Sequence, residues 1–196
     1  MFVVVPDESA VSDEVSSWYE RQRASWGYLP NYAYAFATRP DVAEAWTALS
    51  NAIGKGMERR RYELATIAAA RALRSTYCMA AHSKFLRDDV GDEKTMRAIV
   101  EDSSLAALDP TDRAVMEFAT LVARDASAVT RDDVQKLRDQ GLDDADIVDV
   151  VFAAAARTFF TKVLDALGVQ ADAQLGETFD PETRRRVTVG RPIDGI

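Results

Sequence analysis

Apolar residues recur three and four positions apart along almost the whole chain, which is the period of an amphipathic helix rather than of a strand. The pattern predicts an all-α protein. A first helix is expected over 13–25, ended by Gly27-Tyr28-Leu29-Pro30, where a flexible residue is followed by a ring that cannot continue the hydrogen-bond ladder. A turn follows. Arg39-Pro40-Asp41 opens the next helix with Pro at its first position; Val42, Ala45, Trp46, Leu49 and Ile53 form its inward stripe, and Gly54 and Gly56 close it. An Ala-rich helix is predicted over 58–73, and another from about Ser75 to about Arg87. Gly91-Asp92 starts a short helix that ends near Val100. Asp109-Pro110-Thr111-Asp112 starts a longer one, with Asp109 as N-cap and Val115, Phe118, Ala119 and Val122 on one face. Thr130-Arg131-Asp132-Asp133 reads as a capping box with Asp in place of Glu, and Gly141 stops that helix. From about Asp143 a helix carries Ile147, Val150, Val151, Ala154 and Ala155; a break is expected near Thr158, then a final helix through Phe160, Val163, Leu164 and Leu167. The polar segment from Gly176 onward, with Arg184-Arg185-Arg186, is expected to be a loosely held tail.

A length of 196 residues suits one domain with a full core. The expected organisation is one helical domain over 1–175, made of an N-terminal helical extension 1–56 and a core 57–175, followed by the tail 176–196. An apolar content of 47% with 9% aromatics is that of a globular protein. The net charge of -8 argues against nucleic acid or an anionic membrane surface as partner. The longest apolar stretches, around 64–70 and 150–156, fall short of the ~20 residues that span a bilayer. The opening Met1-Phe2-Val3-Val4-Val5-Pro6 lacks the positive region and apolar length of a secretory signal, so a cytoplasmic location is expected. One cysteine precludes an intrachain disulfide or a thiolate metal cluster, and with one histidine a conventional zinc site is not expected. No cofactor or metal is therefore anticipated, and any redox chemistry has to run through one sulfur.

That cysteine, Cys78, and the sole histidine, His82, stand four apart, and Ser75, Cys78 and His82 share one helical face. A thiol within reach of an imidazole is the minimum of an activated nucleophile. With Ser75 as N-cap, Cys78 takes the third helical position, where free backbone N–H groups favour a thiolate more acidic than the reference value of about 8.5. The pair is equally compatible with a small buried hydrophobe and an exposed ring. Glu63 precedes an apolar run and shares its face with Thr66, Ile67 and Ala70, where a carboxylate is costly without a partner. It suits an acid/base that orients His82, or an ion pair with Arg59 or Arg60.

Glu63, Ser75, Cys78 and His82 reproduce the spacing E-x11-C-x2-C-x3-H of the AhpD-like carboxymuconolactone decarboxylase superfamily, with serine in place of the first cysteine. The block Ser75-Thr76-Tyr77-Cys78-Met79-Ala80-Ala81-His82-Ser83 resembles the family's C-x-Y-C-x-x-A-H-S. Gly27-Tyr28-Leu29-Pro30-Asn31 with Arg39-Pro40-Asp41 is similar to the N-terminal extension of its peroxidase-related subgroup. Phe159-Phe160-Thr161-Lys162 through Ala166-Leu167-Gly168-Val169 resembles that subgroup's closing helix, so the resemblance covers most of 26–169.

The resemblance implies an AhpD-like helical bundle and a thiol-dependent hydroperoxide reductase in which Cys78 attacks the peroxide, His82 and Glu63 are catalytic, and Ser75 and Tyr77 are auxiliary. With serine at the resolving position, an external thiol has to restore Cys78. Two alternatives stand beside it. One is a decarboxylase-like enzyme without redox chemistry, which needs pocket cations, for which Arg71 and Arg74 are candidates; the other is a non-catalytic protein of the same fold. The family implies a homo-oligomer, a dimer, trimer or hexamer. The aromatic segment Trp18, Tyr19, Trp26, Tyr28, Tyr32, Tyr34, Phe36 fits either a subunit interface or the domain's own core.

Overall fold

A computed structural model of the chain describes residues 1–6, 8–102 and 104–195. Among them are eleven α-helices and no strand: α1 (Asp13–Trp26), α2 (Asn31–Ala35), α3 (Pro40–Gly56), α4 (Arg59–Ala72), α5 (Thr76–Asp88), α6 (Glu93–Glu101), α7 (Pro110–Asp125), α8 (Arg131–Asp139), α9 (Asp144–Ala166), α10 (Ala173–Glu177) and α11 (Pro181–Val187). The fold is an all-α, AhpD-like helical bundle in a single domain. Among the described residues no helix is long and apolar enough to cross a membrane.

The bundle is built around α4, which packs against α5, α7 and α9. Every residue from Tyr62 to Ala70 on α4 is buried, so the middle of this helix has no solvent face. Its alanines make that possible, because Ala65, Ala68, Ala69 and Ala70 let neighbouring helices approach closely all round. Consequently Glu63, in the first turns of α4, is carried into the interior.

The predicted caps form. Asp109 accepts from the Thr111 amide, and Thr130 with Asp133 and Asp143 with Asp146 make reciprocal capping boxes. Four expectations differ from the structure. On α3 the buried positions are Ala43, Trp46 and Ile53, whereas Ala45 and Leu49 face outward, because α9 covers the side one residue round from the expected stripe. The turn expected after α1 holds the short helix α2. No break occurs near Thr158: α9 runs unbroken for 23 residues. The Thr158 and Thr161 hydroxyls bond back to the carbonyls of Ala154 and Thr158, so these polar groups are satisfied within the helix. Nor is the C-terminal segment loose. Phe179, Val187 and Ile193 are buried, and α11, capped by Asp180, packs on α5 and α6.

The same segment braces the turn between α4 and α5. Arg74 adopts a left-handed backbone (φ 58°), a conformation that costs a residue with a Cβ about 1 kcal/mol. Its Nε donates to the Val189 carbonyl, and the Gly190 amide donates to Thr76 Oγ1. This turn sets the position of Ser75 and the start of the helix that carries Cys78.

The aromatic N-terminal segment covers the protein's own interior. Trp18, Tyr19 and Phe36 are buried, and Tyr32 packs edge-on against Trp18, Trp26, Tyr77 and Phe160.

Candidate active site

A cavity of about 190 Å³ opens between α3, α4, α5 and α9. Glu63 reaches it from α4, Tyr77, Cys78 and His82 from α5, and Arg157 from α9. Its walls are aromatic, with Trp46, Tyr62 and Phe160 deep and the part-exposed Trp26 and Phe85 nearer the rim. Three of the sequence-proposed residues, Cys78, His82 and Glu63, thus share one chamber, and Tyr77 lines it as well.

Glu63 is fully buried, and His82 nearly so. His82 Nδ1 stands 2.6 Å from Glu63 Oε2. With the carboxylate ionised, Nδ1 carries the proton and donates it, which leaves the Nε2 lone pair as the ring's free acceptor. Arg59 Nη2 lies 2.9 Å from Glu63 Oε1, but off the line of a hydrogen bond, so that contact is ionic rather than directed. Both contacts read from the sequence for Glu63, with Arg59 and with His82, are therefore present at once. Arg60 is engaged elsewhere, with Asp92 and Asp112. Burial, with the Arg157 charge beside it, pushes the His82 ring down to about 4 against the opposing pull of Glu63. The ring is neutral at physiological pH.

Cys78 is buried with its Sγ 3.6 Å from Arg157 Nη1. Burial holds the thiol above its ordinary pKa, and Arg157 and Ser75 reverse only part of that shift. The acidic thiol expected from its place in the first turn of α5 is therefore not what the structure holds; desolvation outweighs the helix terminus. Ser75 occupies the N-cap position, yet its buried side chain makes no capping bond. It does not line the cavity. Tyr77 donates its phenol to Asp172, which also accepts from the Asn31 amide at 2.6 Å and the Tyr28 hydroxyl at 3.4 Å. This ties the wall of the chamber to the segment after α9.

Arg157 is the residue that sequence reasoning missed. It is 5% exposed, it reaches toward Tyr62 Oη at 3.5 Å, and its guanidinium packs over the rings of Trp46 and Phe160. A signal was available, since Arg157 continues the buried face Val150, Ala153, Ala154, Phe160 and Leu164 of α9, where a charge has no ordinary place. The pocket cations expected from the sequence, Arg71 and Arg74, are elsewhere: Arg71 bonds the Ile99 carbonyl and Arg74 that of Val189, and neither lines the chamber. Among the described residues no three His, Cys, Asp or Glu side chains converge as a metal site.

Residues 40–103, which contain Glu63, Ser75, Cys78 and His82 but not Arg157, match the carboxymuconolactone decarboxylase family. No curated protein matches the sequence. Among solved structures, the chain is similar to an uncharacterised peroxidase-related protein with an AhpD core from Ralstonia eutropha JMP134, with 22% identity, 97% of each chain covered and a TM-score of 0.77. It is similar also to an uncharacterised peroxidase-related protein from Silicibacter sp. TM1040, with 23% identity over 89% of this chain and 93% of that one and a TM-score of 0.78. A variant of the debrominase Bmp8, solved in complex with 2,3,4-tribromopyrrole, shares the fold at 15% identity over 95% of this chain and 97% of that one, with a TM-score of 0.75. The carboxymuconolactone decarboxylase match thus spans the α3–α6 region, and the AhpD-like bundle is shared along nearly the whole chain.

Proposed function

We propose that the protein is a thiol-dependent hydroperoxide reductase with Cys78 as its reacting residue. The observation that carries this reading is the chamber in which one sulfur, one neutral imidazole hydrogen-bonded to a carboxylate and one guanidinium are within reach of the same small molecule. The peroxidase-related names of two structural neighbours support it.

In the proposed reaction the Cys78 proton passes to His82 Nε2 as the sulfur attacks the distal oxygen of a hydroperoxide. The S–O bond forms and the O–O bond breaks; the leaving alkoxide takes the proton from His82 and departs as an alcohol, with Cys78 left as a sulfenic acid. Glu63 holds the ring with Nε2 free and balances the imidazolium while it exists. Arg157 stabilises the developing thiolate. Ser75 cannot form a disulfide with Cys78. An external thiol therefore condenses with the sulfenic acid, releasing water, and a second thiol frees Cys78 from the mixed disulfide. Tyr77 fixes the wall of the site through Asp172.

The test is peroxide consumption by the purified protein in the presence of dithiothreitol. The reading requires turnover that disappears in Cys78→Ser and falls by about 10²-fold in His82→Gln, the usual contribution of a positioned acid/base. Turnover that survives Cys78→Ser would point instead to chemistry without the sulfur.

A further inference from the structure

The chamber holds a buried guanidinium, Arg157, that among the described residues no carboxylate meets with a hydrogen bond. Among the described residues the hydrogen bonds of Arg157 run to a thiol and a phenol, neither of them a carboxylate, and its buried Nε has no partner. Glu63, the carboxylate in the same chamber, attracts the guanidinium through space, but its oxygens are held by His82 at 2.6 Å and Arg59 at 2.9 Å. Burial keeps the Cys78 thiol above its ordinary pKa, so near neutral pH the sulfur adds no negative charge. Arginine cannot escape the problem by losing its proton. A buried guanidinium is costly without hydrogen-bonded partners, and its unpartnered Nε favours a small anion that can enter and bond it directly.

The shape of the chamber restricts which anion. A cavity of about 150 Å³ is enough for benzene, so the 190 Å³ here accommodates one ring with a small substituent and little more. One side of the chamber is flat and aromatic: Trp46 and Phe160 stack at 4.8 Å between centroids, and the guanidinium lies over both rings. Planar forks of this kind match a carboxylate with two parallel hydrogen bonds. We propose that the chamber is a binding site for a small aromatic carboxylate, its two oxygens on Arg157 and its single ring against Trp46, Trp26 and Phe160.

This inference goes beyond the peroxidase reading and does not need it, because it stands on Arg157 and the walls rather than on the chemistry of the sulfur. It has one consequence for that reading: a bound carboxylate occupies the guanidinium that would otherwise stabilise a Cys78 thiolate, so ligand and thiolate compete for one cation.

The experiment is a calorimetric titration of the full chain near neutral pH with benzoate, followed through Trp26 and Trp46 by fluorescence, with benzamide as the uncharged analogue of the same shape. Benzoate is expected to saturate one site per chain, and benzamide to bind at least about tenfold more weakly, the cost of losing charge-assisted hydrogen bonds. Arg157→Met should lose benzoate binding by a similar factor. Arg157→Lys, which keeps the charge and guards against loss of the fold, should retain part of it. Cys78→Ser, which abolishes the proposed peroxidase chemistry, should still bind benzoate, so the two proposals can fail separately. Equal binding of benzoate and benzamide, no saturation at millimolar benzoate, or unchanged affinity in folded Arg157→Met would overturn the proposal.

Discussion

Arg157 Nη1 lies 3.6 Å from Cys78 Sγ, so the sulfur takes its cationic neighbour from a helix 79 residues further along the chain. His82, four residues on, is instead committed through Nδ1 to Glu63. The two groups therefore act separately. In the proposed reaction the guanidinium stabilises the developing thiolate, and the imidazole, kept neutral by burial, moves the proton.

Removal of the guanidinium should therefore make the thiol less acidic. In Arg157→Met the midpoint of iodoacetamide alkylation against pH is expected to move upward from wild type, since the attraction that pulls the buried thiol down is gone. His82→Gln, whose ring is neutral, should move it less. An unchanged midpoint in folded Arg157→Met would show that the pairing has no electrostatic consequence.

The His82 ring also links stability to pH. Its folded pKa of about 4 lies below the unfolded value near 6.5, so the unfolded chain binds the extra proton in that window. Stability is complete above the unfolded value and declines as pH falls from about 6.5 toward 4, by on the order of 3 kcal/mol at full extent. The groups acting on the ring are Glu63, Arg157 and Arg59. His82 is the only histidine in the chain. Denaturant unfolding at a series of pH values should show this slope in wild type and its loss in His82→Gln.

Gly190 carries the brace on the α4–α5 turn. A Cβ there would fall on the carbonyl oxygen of Arg74, a backbone atom that cannot swing away. Gly190→Ala is expected to destabilise by about 1–3 kcal/mol, the range for forced overpacking, visible as a lowered thermal midpoint. A midpoint equal to wild type would mean that the C-terminal segment moves off the turn at no cost.

The exposed apolar side chains Leu49 on α3 and Val148, Phe152 and Phe159 on α9 lie along two helices that pack together. The homo-oligomer that the family resemblance implies is expected to cover these side chains, since exposed apolar residues mark association surfaces. Light scattering should give a mass above 21.6 kDa for wild type and a shift toward that value for Phe152→Glu. A monomeric wild type would rule the contact out.

Local pattern carried the sequence reading furthest. Pro40, Asp109, Thr130 and Asp143 marked helix starts because capping is a short-range matter of a few backbone groups. Glu63, Cys78 and His82 could be connected because α4 and α5 are consecutive and their spacing matches a known signature. Arg157 could not be placed, because nothing local says which face of α9 meets the sulfur. The same tertiary ignorance made Thr158 look like a break, when its hydroxyl is satisfied by the helix itself. It also made the segment after Gly176 look loose, when Phe179, Val187 and Ile193 anchor it.

The most direct measurement is mass spectrometry of the peptide containing Cys78 after the protein is treated with a stoichiometric hydroperoxide and dimedone. A peroxidatic Cys78 predicts a dimedone adduct on that residue, forming more slowly in His82→Gln and Arg157→Met. A Cys78 that stays unmodified while the peroxide persists in solution would contradict it.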